Sequence, residues 1–257
     1  MKLFFFDYDG TLLVPGNKAM SERNRKALTA LKDAGHRIVL CTGRCYGHVA
    51  KELWDLGFDA YATACGALII KDGKPVHEDR LPHELVMASM KIIWDKKLDG
   101  AVEGSERVKF YHHFEKDHGI YPEVYSYSEY EERFSAMPVH KFTLYKVPMD
   151  PDVRDFFLEN GMEIINNNNV YYEIIRKGND KGKAVRDCLD LFSVAREDSY
   201  CFGDSMNDRL MLKEAGHSIV VGSAPDDVKA MADEVVPPVE EDGVACWIED
   251  FLKESLN

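Results

Sequence analysis

The chain has 257 residues, 45% of them hydrophobic, and a formal net charge of −13 at pH 7. This length suits one large domain, or a core with a smaller second domain, and can bury a sizeable apolar interior. The acidic balance and the lack of a lysine- and arginine-rich run argue against a nucleic-acid partner. Apolar stretches are too short for a membrane span, and the N-terminal apolar run is too short for a signal peptide, so we expect a cytoplasmic protein without a membrane partner.

Six cysteines are spread along the chain without a CxxC pair or the spacing of zinc ligands. Several of them fall on predicted strands or on apolar helix stripes, where a thiol behaves as a small apolar group. This pattern predicts reduced, buried thiols, as in cytosolic proteins, rather than a disulfide framework.

The first predicted element is a buried strand over residues 3–6, which is followed at once by the carboxylates of Asp7 and Asp9. In an open α/β sheet, ligands bind beyond the carboxyl ends of such strands. Two acids there cost stability unless a cation neutralises them or one is protonated, and Gly10 permits a turn whose N–H groups face an anion. The pattern predicts a Mg²⁺-assisted carboxylate nucleophile with an acid/base partner. A plain strand-end turn is the alternative; a calcium loop is disfavoured because residues 12–14 are apolar.

The next elements alternate helix and strand, which indicates parallel pairing. Ser21 is expected to cap a helix that ends at Gly35, and a strand over 37–41 runs into Thr42, Gly43 and Arg44. The Thr42 hydroxyl and the Gly43 N–H suit a phosphate oxygen, with Arg44 as a charged donor. A helix near 46–55, a strand near 59–62 and a hairpin around an Asp-Gly turn at 72–73 follow.

In residues 81–177 the predicted helices and strands no longer alternate regularly, and this change predicts an inserted α+β domain. The expected elements are a helix after Pro82, strands near 99–104, 107–112 and 139–146, a helix near 151–159, and a hairpin that pairs 163–165 with 171–175. Residues 121–130 are rich in tyrosine and acids, and we interpret them as a mobile surface loop.

The core alternation resumes near residue 178. Lys181 is the first residue of a helix predicted over 181–192. The helix dipole disfavours a positive charge at the N-terminus of a helix, so a lysine at this position indicates a role in binding a ligand. A strand over 199–202 then ends in Gly203-Asp204, with Asn207 and Asp208 in the first turn of a helix predicted over 205–215. A second carboxylate cluster at a strand end is what an oxygen-ligated Mg²⁺ needs. The expected remainder is a strand over 218–221 and helices to the end.

Together, these four motifs resemble the haloacid dehalogenase-like (HAD) hydrolase superfamily, and most closely its Cof-type phosphatases. The matching stretches, in order, are 7–11 (Asp-Tyr-Asp-Gly-Thr), 42–44 (Thr-Gly-Arg), 181–182 (Lys-Gly) and 203–208 (Gly-Asp-Ser-Met-Asn-Asp). The resemblance implies an α/β fold, with a Rossmann-like parallel-sheet core over 1–80 and 178–257. It also implies an inserted α+β cap domain over 81–177 that sets substrate specificity.

The resemblance also implies a division of labour among the motif residues. Asp7 would attack phosphorus, and Asp9 would act as general acid and then general base. Because Asp9 must carry a proton at the first step, we expect it to be buried beside other carboxylates. The remaining implied roles are phosphate contacts from Thr42, Gly43, Lys181 and Asn207, with Asn207 orienting either the phosphate or Lys181, and Mg²⁺ contacts from Asp7, the Asp9 backbone carbonyl, Asp204 and, as a weaker candidate, Asp208. Thr11 is interpreted as a structural hydroxyl.

The predicted function is Mg²⁺-dependent hydrolysis of small phosphorylated metabolites, such as sugar phosphates or phosphorylated cofactors. A phosphohexomutase with a similar cap is the alternative. A non-catalytic ligand sensor is a third possibility, although it should lack at least one of Asp7, Asp9, Lys181 or Asp204, and all four are present. Cys65 stands where relatives usually carry asparagine; we expect it simply to pack at a strand end. The substrate and the oligomeric state stay open. Candidate substrate-reading residues in the cap are Arg107, Lys109, Tyr111, His112, His113 and the segment 121–130.

Overall fold

The computed structural model describes residues 1–112, 120–145, 148–167 and 170–254. These residues form two compact units. The core unit comprises Met1–Gly43, Ala50–His77 and Asp180–Asn257, and the cap unit comprises Arg44–Val49 and Glu78–Asn179. The short segment 44–49 therefore packs with the cap unit, although it directly follows the Thr42-Gly43 motif in the chain.

The described residues contain strands and α-helices in the alternating order that the sequence predicts. The strands are β1 (Leu3–Phe6), β2 (Arg37–Cys41), β3 (Ala60–Thr63), β4 (Leu68–Lys71), β5 (Lys74–Glu78), β6 (Gly100–Gly104), β7 (Arg107–Phe110), β8 (Glu123–Val124), β9 (Val139–Leu144), β10 (Met162–Asn167), β11 (Tyr171–Arg176), β12 (Ser199–Gly203), β13 (His217–Val221) and β14 (Glu234–Val236). The helices are α1 (Glu22–Asp33), α2 (Lys51–Leu56), α3 (His83–Asp95), α4 (Tyr127–Phe134), α5 (Pro151–Glu159), α6 (Lys181–Phe192), α7 (Arg209–Glu214), α8 (Asp226–Lys229) and α9 (Gly243–Glu254).

The core unit is built on an eight-stranded sheet in the order β14-β13-β12-β1-β2-β3-β4-β5. Strands β1, β2, β3, β12, β13 and β14 pair in parallel, and β4 turns back antiparallel to β3. Strand β1 lies near the centre, and each of its four apolar side chains is fully buried. This explains why its sequence is a continuous apolar run rather than an alternating one. The parallel core of the α/β fold is thus confirmed.

The cap unit is built on a six-stranded sheet in the order β10-β11-β9-β6-β7-β8. Val102, Val108, Phe142 and Ile174 belong to an apolar cluster that includes residues of α3, α4 and α5. Alternate strand positions carry charged or hydroxyl side chains that are also buried: Glu103, Lys109, Lys141, Thr143 and Glu173. The sheet therefore has one apolar face and one buried polar face.

Two regions differ from their predicted secondary structure. Residues 121–130 are not a surface loop: they include β8 and the start of α4, and Tyr130 is fully buried. The sequence holds the missed signal, since Ser126 accepts a hydrogen bond from the N–H of Glu129 at 3.1 Å in an S-x-x-E pattern. The C-terminal region also contains the short strand β14, where only helices were expected.

Two predicted helices start later than their sequence patterns indicate. The helix expected near 46–55 is a 3₁₀ turn at Tyr46–His48 followed by α2. The helix expected over 205–215 is a 3₁₀ turn at Met206–Asp208 that leads into α7. By contrast, α1 is capped by Ser21 and α6 covers 181–192, as predicted. Within the described ranges, no helix combines the length and apolarity needed to cross a membrane.

Candidate active site

The motif residues meet at the carboxyl edge of the core sheet. Phe6 in β1 is in register with Leu40 in β2 and with Phe202 in β12. The residues that follow each strand therefore emerge side by side, and the N–H of Asp7 donates to the carbonyl of Phe202 at 3.0 Å. Parallel pairing thus brings together motifs that lie far apart in the sequence.

Lys181 is the centre of the arrangement. Its Nζ lies 2.6 Å from Oδ1 of Asp7 and 2.6 Å from Oδ1 of Asp208, and all three side chains are almost fully buried. Gly182 allows helix α6 to approach this closely, because a Cβ there would lie 2.8 Å from the carbonyl oxygen of Leu210. Burial lowers the pKa of Lys181, but the Asp208 and Asp7 carboxylates raise it well above its usual value overall. Lys181 is therefore a fixed positive charge beside Asp7.

Asp208 holds the loop that follows β12. Its Oδ2 accepts hydrogen bonds from the N–H groups of Asp204 at 3.0 Å and Ser205 at 3.1 Å, while its Oδ1 meets Lys181. Asn207 Oδ1 accepts from Lys181 Nζ at 3.0 Å. Both carboxylate oxygens of Asp208 thus have protein partners, and Asn207 contacts Lys181. The phosphate contact of Asn207 stays a prediction.

Gly10 and Thr11 hold Asp204 against the end of β1. Gly10 has φ +86°, and a Cβ there would lie only 2.2 Å from Oδ2 of Asp204. Thr11 Oγ1 donates to Asp204 Oδ1 at 3.2 Å and lies 3.4 Å from Asp7 Oδ2. Thr11 therefore bridges the two carboxylates, which agrees with the structural role predicted for its hydroxyl, although its partners were not predicted. Its position directly after Gly10, the residue that lets Asp204 approach the end of β1, could have indicated these partners.

Three carboxylates could hold a metal ion here. Ligand oxygens of Asp7, Asp204 and Asp208 all lie within 4.8 Å of one another. Burial, and then the Asp208 carboxylate, raise the pKa of Asp204 to about 7; burial also raises the pKa of Asp7, against the effect of Lys181. Two buried acids, one partly buried acid and a single lysine leave an excess of negative charge, and carboxylate oxygen is the ligand that Mg²⁺ prefers. The donor set therefore fits a hard divalent cation.

Asp9 does not have the environment we expected. Its side chain is exposed, and it is not part of the carboxylate cluster. The expectation of burial was wrong because strand β1 ends at Phe6, and the turn that follows leaves Asp7 buried but carries Asp9 to the surface. An exposed carboxylate can still exchange a proton with a bound substrate or water. The Asp9 backbone carbonyl stays a predicted metal contact.

The Thr42-Gly43 motif at the end of β2 rests on an unusual turn. Thr42 is buried, and its carbonyl accepts from the N–H of Cys65 at 3.2 Å. Ala64, Cys65 and Gly66 all have positive φ, at 49°, 56° and 87°. A Cβ on Gly66 would lie 2.8 Å from the carbonyl oxygen of Asp180, so this turn packs against the start of α6. Cys65 is buried, as expected, and its turn supports Thr42 and Lys181 together. The phosphate contacts of Thr42 and Gly43 stay predictions.

The predicted cap candidates are partly located. His112 Nδ1 lies 2.9 Å from the carbonyl oxygen of Leu98, and His112 is not part of a metal-ligand group in the described ranges. His113 lies outside the described residues. Arg107 and Lys109 lie on β7, within the cap unit.

Comparison with known proteins agrees with this geometry. The family model for haloacid dehalogenase-like hydrolases matches residues 4–248. A pyridoxal phosphate phosphatase of Escherichia coli is 26% identical over 98% of both chains. A 5-amino-6-(5-phospho-D-ribitylamino)uracil phosphatase of Bacillus subtilis is 28% identical over 98% of this chain and 96% of the relative. Among solved structures, a sugar phosphatase of HAD subclass IIB superposes with a TM-score of 0.81 at 26% identity, over 98% of this chain and 99% of that one.

Proposed function

The chain belongs to the haloacid dehalogenase-like hydrolase family and is a phosphatase of that family; from this premise, we propose that it hydrolyses small phosphorylated metabolites with Mg²⁺ through an aspartyl-phosphate intermediate. The observation that carries the proposal is the Asp7 carboxylate at the end of β1, fixed by Lys181 at 2.6 Å. A carboxylate held in one orientation beside a buried cation is suited to attack phosphorus rather than simply to cap a turn.

In the first step, an oxygen of Asp7 forms a bond to phosphorus while the bond from phosphorus to the ester oxygen breaks. Asp9 gives its proton to the departing alkoxide. In the second step, water attacks the aspartyl phosphate, Asp9 takes a proton from that water, and Asp7 is released with inorganic phosphate. Lys181 offsets negative charge on Asp7 and on the phosphoryl oxygens throughout, and it needs no rearrangement because Asn207 and Asp208 already hold it.

Asp7 and Asp204 are the residues that would hold Mg²⁺ directly. Asp208 would act mainly by positioning Lys181 and the Asp204 loop, since its two oxygens already have partners. When bound, the ion would supply charge neutralisation and orient the phosphoryl group. It would also favour the ionised forms of Asp7 and Asp204, whose pKa values burial raises.

The substrate class follows from the relatives. The similar proteins named above are a pyridoxal phosphate phosphatase, a 5-amino-6-(5-phospho-D-ribitylamino)uracil phosphatase and a sugar phosphatase. We extend to this chain what they share, which is a phosphate monoester on a small polar molecule. A cytoplasmic location is part of the proposal, supported by six free cysteines.

The test is phosphate release from a panel of phosphorylated metabolites, measured with Mg²⁺ and with a chelator. We expect Mg²⁺-dependent release from at least one sugar phosphate or phosphorylated cofactor, and from p-nitrophenyl phosphate. No release from any of them by the folded protein would overturn the proposal. Labelled phosphate that moved to another sugar hydroxyl instead of to water would indicate the mutase alternative.

A further inference from the structure

A buried tyrosine separates the two acids that follow β1. Tyr8 stands between Asp7 and Asp9 in the chain, and its side chain is fully buried. Its phenol donates a hydrogen bond to a carboxylate oxygen of Glu52, a residue of α2, and both residues belong to the core unit. An apolar ring would fill the same space without a partner, so the hydroxyl adds a connection that burial alone does not require. This bond ties the residue between the two acids to α2.

The carboxylate of Glu52 accepts hydrogen bonds from three separate parts of the core unit. Its Oε1 accepts from the phenol of Tyr8 and from the N–H of Met20 at 2.9 Å. Its Oε2 accepts from Nη2 of Arg25, in α1, at 2.9 Å. The side chain of Glu52 is only 13% exposed, and hydrogen bonds to a charged acceptor are stronger in such surroundings than in water. One carboxylate therefore joins both ends of the segment 8–20 to α1 and α2.

The main chain of Tyr8 holds the turn that carries Asp9. The carbonyl oxygen of Tyr8 accepts from the N–H groups of Thr11 at 3.3 Å, Leu12 at 3.0 Å and Leu13 at 2.9 Å. Asp9 lies within this turn, directly after Tyr8. The phenol and the carbonyl of one residue thus connect the turn to α2 and close it upon itself.

The two acids beside Tyr8 are placed by different contacts. The N–H of Asp7 donates to the carbonyl of Phe202 at 3.0 Å, and Oδ1 of Asp7 lies 2.6 Å from Nζ of Lys181. Asp7 is therefore anchored to β12 and α6 as well as to the turn. Asp9 is exposed and lies outside the carboxylate cluster, so its position follows the course of the turn. A shift of Tyr8 should displace Asp9 more than it displaces Asp7.

We propose that Glu52 is a positioning residue for the reaction, which acts through the Tyr8 phenol to hold the turn that presents Asp9 to the leaving group. This inference rests on the proposed phosphatase function and adds to it a residue outside the four sequence motifs. A general acid must lie within hydrogen-bond reach of the oxygen that it protonates. Displacement of Asp9 should therefore slow the reaction most where the departing oxygen depends on that proton.

Two substrates of similar shape separate the positioning of Asp9 from a general effect on the site. The p-nitrophenolate group leaves readily as an anion, whereas the phenolate of phenyl phosphate is more basic and depends more on a proton. The ratio of kcat/KM for the two substrates reports this dependence, because kcat/KM covers the steps up to departure of the leaving group. It is measured for the wild-type protein and for each variant.

Tyr8→Phe removes only the hydroxyl and leaves Glu52 its bonds from Met20 and Arg25. We expect it to lower kcat/KM by about tenfold for phenyl phosphate and by about twofold or less for p-nitrophenyl phosphate. Glu52→Gln should change the ratio in the same direction, because a neutral amide is a weaker acceptor than a carboxylate.

Tyr61→Phe is the matched control. Tyr61 is a buried tyrosine of β3 in the same unit, and its hydroxyl donates to the carbonyl of Leu53 at 3.2 Å and accepts from the N–H of Phe58 at 3.1 Å. Loss of this hydroxyl should lower the melting temperature, as loss of any buried hydrogen bond does. It should leave the ratio of the two kcat/KM values unchanged.

Melting temperatures identify the variants that fold, and Glu52→Gln decides the question if Tyr8→Phe does not fold. Equal losses for the two substrates in a folded variant, or no loss for either, overturn the inference while the phosphatase function stands. The same change of ratio in Tyr61→Phe also overturns it, because lower stability would then explain the effect. If the folded wild-type protein hydrolyses neither substrate nor any phosphorylated metabolite, the proposed function is overturned and this inference with it.

Discussion

In the core unit Lys181 contacts two buried carboxylates, and a third, that of Asp204, lies close to both of them, whereas in the cap unit the buried carboxylates of Glu103 and Glu173 are matched by Lys141 and Arg107. Charges are rarely buried without a partner, so an excess of one sign indicates what is to be bound. The carboxylate cluster of the core has such an excess and is suited to a divalent cation. The charged groups of the cap pair with one another and are suited to holding its sheet together.

The two regions also differ in how they are held. The carboxylate cluster is fixed by backbone: strand register, the close approach at Gly10, and N–H groups that bind Asp208. The charged groups of the cap are fixed by contacts between side chains, such as Arg107 with Glu103 and Tyr145. We expect substitutions near the core carboxylates to affect every substrate, and substitutions in the cap to change the ranking of substrates.

The largest expected effect is that of Asp7→Asn on the carboxylate side of the comparison. The amide keeps the shape but removes the nucleophile, so turnover should fall by about a thousandfold or more for all substrates. Phosphate release by the purified variant measures this. Asp55→Asn, at an exposed position of α2, makes the same chemical change and should have no effect. Near-normal turnover by Asp7→Asn would remove Asp7 from the chemistry.

The second-largest expected effect is on the Mg²⁺ requirement, and it distinguishes the proposed role of Asp204 from that of Asp208. Chelation should abolish activity and Mg²⁺ should restore it, while Ca²⁺ should inhibit because its looser geometry misaligns in-line attack. Asp204→Ala should raise the Mg²⁺ concentration needed for half activity by about a hundredfold.

Asp208→Ala should act differently, because it removes one of the three acceptors of Lys181 and the acceptor that the N–H groups of Asp204 and Ser205 share. We expect it to lower stability by about 2 kcal/mol or more and to reduce kcat, with less change in the Mg²⁺ requirement. Magnesium titrations and thermal melts of the two variants measure the contrast. The reverse pattern would exchange the two roles, and equal activity with and without chelator would exclude Mg²⁺ from the mechanism.

Gly10→Ala and Gly16→Ala form a matched pair that tests how far the backbone at Gly10 positions Asp204. Both glycines have positive φ, so alanine costs roughly 1 kcal/mol of strain at either position. Only at Gly10 would the new Cβ meet Asp204, since nothing lies within 4 Å of it at Gly16. Displacement of Asp204 should lower kcat/KM by about tenfold to a hundredfold, whereas Gly16→Ala should only lower the melting temperature. Equal activities of the two variants would show that the close approach at Gly10 does not position Asp204.

The smallest expected effect is on acid stability of the cap unit. Glu103 is fully buried; although burial raises its pKa, Lys141, Arg107 and Thr143 lower it overall below the ordinary value of 4.5. A depressed pKa in the folded state stabilises the protein above the unfolded value, and this stabilisation is lost as pH falls through the folded value. Glu103→Gln should therefore flatten the fall in melting temperature below about pH 4.5.

Exposed Glu131→Gln in α4 serves as the control and should retain the wild-type slope. Melting curves between neutral and acid pH measure both variants. An unchanged slope in Glu103→Gln would show that the buried charges of the cap do not control its acid stability.

Sequence motifs predicted the carboxylate cluster well because each motif follows a strand whose type and end are locally encoded. The convergence of Asp7, Lys181, Asp204 and Asp208 follows from parallel pairing of β1 and β12. The bridging role of Thr11 and the exposure of Asp9 depend on the exact course of the turn after β1, and residue type alone does not determine this.

The cap was harder to predict because charge is normally a sign of solvent exposure. Alternation in β6, β7, β9 and β11 predicts an apolar face and a polar face, and it does not reveal that the polar face is buried. Helix α4 was missed for a similar reason: the acids and tyrosines of 121–130 outweighed the Ser126 capping signal. Burial of polar residues arises from tertiary contacts, which a single sequence does not display.

The pairing of β1 with β12 also has a consequence for synthesis of the chain. On the ribosome, Phe6 emerges long before Phe202, its register partner, whereas most of the cap unit is continuous from Glu78 to Asn179. Domains tend to fold as they emerge, so we expect the cap to fold first, while the edge of β1 that pairs with β12 still lacks its partner strand. Chains interrupted before residue 199 would leave that apolar strand edge open, and open edges of this kind recruit other strands. Incomplete chains should therefore aggregate through residues 3–6, the strand that directly precedes the proposed nucleophile Asp7.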